Sequence, residues 1–223
     1  MIASDIHGSA FYCRSMIEAF EREEADRLLL LGDILYHGPR NDLPAEYAPK
    51  KVIAMLNPLK RNLLCVRGNC DTEVDQMVLE FPVLAEYCLL ELDGQTIFAT
   101  HGHTWNPAKQ PMLKGGDILL NGHTHVPANE ELKTESGEVC RYMNPGSVSI
   151  PKEDSPHSYM IYDKGTFYWK NLEGEYIRHG RQIRIADRRG QRIRKIYQTN
   201  LGRAVQVRKR NIQTNIRRLD KHL

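Results

Sequence analysis

Short apolar runs and amphipathic stretches alternate along most of the chain. Apolar residues recur at helical spacing among charged ones in two segments, residues 14–24 and 50–59, which predicts two helices. Short, mostly apolar runs predict buried strands at residues 28–31, 63–66, 96–100 and 118–120. Strands that alternate with helices are typical of an α/β fold.

Three later apolar runs predict further strands with little helix between them, at residues 139–143, 158–162 and 166–169. The pattern therefore predicts either one mixed sheet or two sheets packed face to face between helices. The first strand is short, because only Met1, Ile2 and Ala3 precede the polar pair Ser4-Asp5. A buried strand usually has about five or six residues. We therefore expect the natural start of the protein to lie upstream of Met1.

The composition is that of a globular protein. Of 223 residues, 41% are hydrophobic and 26% are charged, which excludes a wholly disordered or fibrous chain. No apolar stretch approaches the ~18 residues of a spanning helix, and no signal peptide is visible, so we expect no membrane partner. The five cysteines are scattered and form no C-x-x-C motif, which favours a cytoplasmic location.

The net charge of +3 hides a strong asymmetry along the chain. Residues 1–175 hold 16 Lys and Arg against 26 Asp and Glu, whereas residues 176–223 hold 15 against 2. This predicts an acidic domain over residues 1–175 and a basic, poorly structured tail over residues 176–223. The tail could instead bind nucleic acid through arginines interleaved with Tyr176 and Tyr197, or be a reading-frame artefact.

Side chains that commonly bind metals follow five of the apolar runs. In chain order they are Asp5 with His7, Asp33, Asn69, His101, and His123 with His125. In an open α/β sheet, ligands collect beyond the carboxyl ends of the strands. We therefore predict that these seven side chains converge at one edge.

The residue types suit a binuclear metal centre. Asp-x-His and His-x-His each project two side chains to the same side of an extended loop, and the Asp33 carboxylate is able to bridge two ions. Nitrogen and oxygen donors favour borderline divalent cations; we expect Mn²⁺, with Fe²⁺, Zn²⁺ or Ni²⁺ as alternatives. Two such ions ~3.5–4 Å apart commonly serve in-line displacement at phosphorus.

The ordered motifs resemble those of the calcineurin-like metallophosphoesterases, and within them the small bacterial YfcE-like phosphodiesterases. The resemblance covers roughly residues 1–170 and rests on Asp5-x-His7, Gly32-Asp33, Gly68-Asn69, His101, Gly122-His123-x-His125 and the segment NPGSVSIPK. It implies a four-layer α/β/β/α sandwich of two mixed sheets flanked by helices. It also implies two bound metal ions and hydrolysis of a small phosphodiester.

The resemblance also implies roles for individual residues. One ion would be held by Asp5, His7, Asp33 and His125, and the other by Asp33, Asn69, His101 and His123. The implied catalytic residues are Asp33, Asn69 and His101, with a hydroxide between the ions as the nucleophile.

Further residues near the motifs are candidates for contacts with substrate or with the ligands. Asp71 is expected to orient the ligands, and His103 either to touch substrate or to support a ligand. Arg40 and Asn41 either contact phosphate or belong to a solvated loop. Arg67 is expected to be structural.

Cys70 stands where many members of the superfamily have a histidine that protonates the leaving group. A thiol is a poorer proton donor than an imidazolium, which predicts a preference for leaving groups that need little acid assistance. A Cys70→His variant should therefore gain activity mainly on diesters with poor leaving groups, measured as kcat/KM across a leaving-group series. An equal gain on every diester would contradict this explanation.

Two alternatives to a small-molecule phosphodiesterase remain at this point. One is a nuclease that grips nucleic acid through the basic tail, and the other is a non-catalytic scaffold with the same fold. The complete ligand set argues against the scaffold. A homo-oligomer is a further expectation that the sequence leaves open.

Overall fold

The computed structural model describes residues 1–177, so the predicted basic tail lies almost entirely outside the described residues. The first half of this region contains β1 (Ile2–Ala3), α1 (Ala10–Arg22), β2 (Leu28–Leu30), α2 (Pro49–Leu56), a 3-10 turn (Asn57–Leu59), β3 (Leu63–Cys65) and α3 (Glu73–Val78). The second half consists of strands: β4 (Tyr87–Leu92), β5 (Gln95–Thr100), β6 (Ile118–Leu120), β7 (Pro127–Lys133), β8 (Val139–Pro145), β9 (Ser158–Asp163) and β10 (Thr166–Asn171).

The strands form two five-stranded sheets, both of them mixed. The first has the order β10-β9-β1-β2-β3, in which β1, β2 and β3 are parallel and β9 and β10 are antiparallel to their neighbours. The second has the order β4-β5-β6-β8-β7, with β5, β6 and β8 parallel. The predicted α/β class with two mixed sheets is confirmed.

Two buried clusters hold these layers together. Leu28 and Leu30 of β2 pack with α1 and α2, whereas Leu29 and Leu31 pack with the second sheet. Successive side chains of a strand point to opposite faces, so a strand covered on both faces must be apolar throughout. This explains the unbroken leucine run at residues 28–31. Within residues 1–177 all three α-helices precede β4, and α1 and α2 cover the first sheet.

The element boundaries differ from the predictions where local capping decides them. α1 begins at Ala10, because the Ser9 side chain accepts a hydrogen bond from the Tyr12 N–H and caps the helix. The pattern did not predict α3, β4 or β7. α3 has only six residues and is fixed by a capping box between Thr72 and Asp75, and β7 is largely polar.

The ends of the described region bear on two further expectations. β1 is as short as the sequence indicated, and it pairs with β2 and β9. Tyr176 and Ile177, assigned to the tail, still pair with β10. No helix in residues 1–177 has the length and apolarity that a bilayer crossing requires.

Candidate metal centre

Loops from both sheets supply the seven predicted ligands. Asp5 and His7 follow β1, Asp33 follows β2 and Asn69 follows β3, all in the first sheet. His101 follows β5, and His123 and His125 follow β6, in the second sheet. The prediction of a single sheet edge was therefore too simple, since the carboxyl ends of parallel strands from two packed sheets share the site.

The structure brings all seven side chains together. The His7 and His125 Nε2 atoms are 3.3 Å apart, and the His125 Nε2 lies 3.3 Å from the Asp5 Oδ1. The Asp33 Oδ2 lies 3.7 Å from the His7 Nε2 and 3.4 Å from the His101 Nε2. His101 is in turn 3.1 Å from the Asn69 Oδ1 and 3.2 Å from the His123 Nδ1.

Backbone carbonyls fix the orientation of three histidine rings. The Nδ1 atoms of His7, His101 and His125 lie 2.8, 2.6 and 2.5 Å from the carbonyl oxygens of Tyr36, Leu31 and Ile150. A carbonyl can only accept, so each Nδ1 carries a proton, and each ring in its neutral form turns the lone pair of its Nε2 toward the centre. His123 is held differently, with its Nδ1 toward His101.

The backbone is strained at most of the predicted ligands. Five of the seven have positive φ, between 48° and 65°: Asp5, His7, Asp33, His123 and His125. This left-handed region is uncommon for residues other than glycine, and it clusters at functional sites where the surroundings enforce it. Gly68 and Gly122 permit the close approach of the loops. A Cβ on Gly68 would collide with Asp33, and one on Gly122 would lie 3.0 Å from the Asp5 Oδ2.

The charges of the buried carboxylates at the centre favour the binding of a cation. Burial alone would raise the pKa of Asp5, but its contacts with His125 and His7 hold that pKa well below the ordinary value. Burial alone would lower the pKa of His101, but the Asp33 and Asp5 carboxylates raise it to about 9. Burial and the neighbouring His101 lower the pKa of His123 to about 4. Two buried carboxylates thus favour positive charge in their midst.

Two further observations show that a metal ion fits these residues. The buried Asp5 Oδ1 has no hydrogen-bond partner among the residues described. The inward-facing Nε2 atoms of His7 and His125 lie within 4.8 Å of that oxygen and of each other. In a second set, one ligand atom each from Asp5, Asp33 and His101 also lie within 4.8 Å of one another. Carboxylate oxygens and imidazole nitrogens at such spacing match the ligand chemistry of borderline divalent cations.

Asp71 ties together the loops after β2 and β3. Its Oδ2 accepts hydrogen bonds from the N–H groups of Asp33 and Gly68, both at 2.7 Å, and its Oδ1 accepts one from Ile34 at 2.8 Å. Within residues 1–177 its carboxylate accepts hydrogen bonds from these backbone donors only, which is the arrangement that the predicted orienting role requires. Burial raises the pKa of Asp71, and the three donors oppose that rise.

A serine pair that the sequence did not single out supports the other side of the centre. The hydroxyls of Ser147 and Ser149 donate to the Asp5 carbonyl oxygen at 3.1 and 2.9 Å. The same loop supplies the Ile150 carbonyl that orients His125. The segment NPGSVSIPK entered the sequence analysis only as part of the family resemblance, and in the structure it holds two predicted ligands, Asp5 and His125, in place.

The seven predicted ligands divide into two halves that differ in exposure. We call Asp5, His7 and His125 the inner half; their exposed fractions are 0%, 1% and 3%. We call Asn69, His101 and His123 the outer half: here His101 is buried, His123 is half-buried and Asn69 is exposed. Asp33 lies between the two halves. The outer half borders a cavity of about 160 Å³ that includes Asn69 among its lining residues.

The remaining candidates lie at varied distances from the ligands. The Cys70 Sγ lies within 4.8 Å of a side-chain ligand atom of His7 and of one of Asp33. The Cys70 N–H donates to the Asp33 Oδ1 at 2.8 Å. Asn41 donates to the His37 carbonyl, so it braces its own loop. Arg40 is exposed and forms no hydrogen bond or ion pair within residues 1–177. The His103 ring lies 5.4 Å from the His101 ring and lines the cavity.

Comparisons with known proteins agree with this arrangement. A family model for the calcineurin-like phosphoesterase superfamily domain matches residues 1–166. The phosphodiesterase YfcE of Escherichia coli strain K12 is 48% identical over 163 residues, or 73% of this chain and 86% of that protein. A solved structure of E. coli YfcE, a phosphoesterase, superposes with a TM-score of 0.76 at 43% identity, covering 83% of this chain and 98% of the other. A conserved protein from Streptococcus pneumoniae, 21% identical with a TM-score of 0.50, shares the fold over 79% of this chain and 91% of its own.

Proposed function

Since the chain belongs to the calcineurin-like phosphoesterase superfamily, we propose that it is a divalent-metal-dependent phosphodiesterase with a two-ion centre. The family model and the similarity to YfcE support hydrolysis of phosphodiester bonds. The arrangement of this chain's own side chains supports the finer proposal of two ions.

The position of Asp33 carries the two-ion proposal. Its Oδ2 lies within 3.7 Å of His7 in the inner half and within 3.4 Å of His101 in the outer half. A carboxylate between two ligand groups is suited to bridge two cations. One ion would be held by Asp5, His7, Asp33 and His125, and the other by Asp33, Asn69, His101 and His123.

When bound, two divalent ions supply Lewis-acid activation of water and neutralise the charge that develops on the phosphoryl oxygens. The chain contributes the preorganisation. Carbonyls of Leu31, Tyr36 and Ile150 hold three imidazoles in the ligating tautomer, and the buried inner half excludes bulk water from its ligands. The exposed Asn69 leaves the outer half open to an incoming diester.

The chain offers little acid assistance to the leaving group. Burial raises the pKa of the Cys70 thiol well above its ordinary value, and the Asp33 carboxylate adds to that effect. In the metal-free protein the thiol therefore stays protonated at neutral pH. A thiol this weakly acidic is a poor general acid, which supports diesters of good leaving groups as the favoured substrates.

We propose Mn²⁺ as the metal on the basis of the mixed nitrogen and oxygen donors, with Fe²⁺, Zn²⁺ and Ni²⁺ as alternatives. A small phosphodiester is the proposed substrate and the cytoplasm the proposed location. The nuclease alternative depends on the basic tail, which lies outside the described residues apart from Tyr176 and Ile177.

The test is hydrolysis of bis-p-nitrophenyl phosphate by the full chain, after chelation and again after addition of Mn²⁺. Wild type should be inactive without metal and active with it. Asp33→Ala should show no turnover, because the carboxylate shared by both halves is lost, whereas Asp163→Ala, an exposed aspartate at the end of β9, should retain wild-type rates. Comparable rates for Asp33→Ala and wild type would show that the activity arises elsewhere.

A further inference from the structure

The cavity beside the outer half has a distinctive lining. Five of its side chains are polar or charged: Arg67, Asn69, Glu86, His103 and Thr104. Asn69 belongs to the metal centre, so a phosphodiester held there would have one of its ester groups close to the cavity. The volume of about 160 Å³ is below the ~300–1,000 Å³ typical of sites for drug-sized ligands, and it suits a single small substituent.

Most of the polar groups that line this cavity have no protein partner. Within residues 1–177 the Glu86 carboxylate, the His103 ring and the Thr104 hydroxyl form no hydrogen bond or ion pair. Arg67 donates from its Nε to the Asp71 carbonyl, and its Nη2 reaches Glu73 only at 3.9 Å. Guanidinium and hydroxyl donors therefore stand beside carboxylate, imidazole and hydroxyl acceptors, all available to a ligand.

This mixture of groups discriminates among substituents. An apolar substituent would displace water from Arg67 and Glu86 without replacing their hydrogen bonds, which is unfavourable. A second anionic group would be attracted by Arg67 and repelled by Glu86. An uncharged group with several hydroxyls can donate to Glu86 and accept from Arg67 and Thr104 at once.

We propose that this cavity binds a hydroxyl-bearing, sugar-sized substituent of the phosphodiester, so that one ester group of the substrate is a sugar or a similar polyol. This inference rests on the proposed phosphodiesterase function and deepens it. Glu86 and Thr104 determine specificity under this proposal, and Arg67 gains a role in binding besides the structural one expected from the sequence.

Two phosphate monoesters of similar size test the proposal. Ribose 5-phosphate and cyclopentylmethyl phosphate share a five-membered ring and a phosphate and differ in the ring oxygen and hydroxyls. Their binding to the full chain loaded with Mn²⁺ would be measured by calorimetry, without turnover. Ribose 5-phosphate should bind about 5- to 30-fold more tightly, as one or two additional net hydrogen bonds predict. The double variant Glu86→Ala/Thr104→Val should lose that preference.

Glu131→Ala is the matched control, since Glu131 is an exposed glutamate of β7 that does not line the cavity. This variant should keep the full preference for ribose 5-phosphate. Equal affinities in the wild type, or a preference that survives in Glu86→Ala/Thr104→Val, would overturn the inference while leaving the phosphodiesterase proposal intact. Failure of both monoesters to bind, together with no hydrolysis of bis-p-nitrophenyl phosphate, would overturn both.

Discussion

The inner and outer halves of the metal centre use similar ligand types in different surroundings. Inner-half side chains are almost fully buried, and their positions are fixed by the loops after β1, β6 and β8. The outer half combines a buried His101 with the exposed Asn69 and borders a polar cavity. Under the two-ion proposal, the closed half would hold its ion where exchange with solvent is hindered, and the open half would let substrate approach. The proposal therefore places metal retention on one side of Asp33 and substrate contact on the other.

Loss of an inner ligand should therefore be the most damaging change. His125→Ala removes an imidazole that faces Asp5 and His7 and leaves the Asp5 carboxylate buried with fewer partners. We expect kcat/KM to fall by more than ~100-fold, beyond the 10–100-fold loss typical of residues that only orient ligands. Asn69→Ala should reduce it less, because water can replace an exposed amide oxygen.

The measurements are steady-state hydrolysis of bis-p-nitrophenyl phosphate and manganese content after gel filtration. Asn62→Ala is the control, since the Asn62 side chain also contacts a backbone carbonyl, that of Asp26, but lies outside the loops that carry the predicted ligands. If Asn69→Ala lost as much retained manganese as His125→Ala, the division into a closed and an open half would be wrong.

The two halves are also supported by different groups, and Asp71 supports the side of Asp33 and Asn69. Its carboxylate accepts three backbone N–H groups from the loops that carry Asp33 and Asn69. Asparagine has one acceptor oxygen and would direct an N–H₂ group at a backbone donor. Asp71→Asn should lower the free energy of unfolding by about 2–3 kcal/mol, since a buried donor left unpaired costs ~1–3 kcal/mol.

Urea unfolding of the metal-free protein would measure this effect. Asp117→Asn provides the comparison, because the Asp117 carboxylate is nearly as buried but accepts a single backbone N–H, that of Lys114. Similar losses of unfolding free energy in the two variants would indicate that the three backbone donors of Asp71 stabilise the fold no more than the single donor of Asp117 does.

The sequence located the cluster of seven predicted ligands far better than it located the groups that support this cluster. The seven side chains were found because each follows a short apolar run in an ordered motif. The supporting groups are mostly backbone carbonyls, such as those of Leu31, Tyr36 and Ile150, and a carbonyl has no side-chain signature. Glu86 and Thr104 are ordinary surface residue types, and only the folding of the chain places them in the same cavity.

The same limit applies to the fold. Strands with continuous apolar runs, such as β2 and β6, were placed within a residue of their observed ends. β7 was missed because its sequence is mostly polar, and α3 because one and a half turns give too short a pattern. Pairing with β8 forms β7, and a capping box fixes α3. Neither depends on the hydrophobic pattern.

The smallest expected effect concerns the serine pair behind the inner half. Ser149→Ala removes one of two hydroxyls that donate to the Asp5 carbonyl, at a residue whose backbone is held at φ 60°. Ser147 remains, so the loop should keep its path while Asp5 gains freedom to leave its strained conformation. We expect manganese to bind the inner half about 10-fold more weakly, at the low end of the range for residues that orient ligands. Ser158→Ala is the matched control, because the Ser158 hydroxyl is also buried and donates to the carbonyl of Pro145, which is not one of the seven predicted ligands. Both variants should lose similar unfolding free energy, and only Ser149→Ala should lose manganese affinity in a calorimetric titration. Equal manganese affinity in the two variants would mean that the hydroxyl of Ser149 stabilises the fold without positioning Asp5.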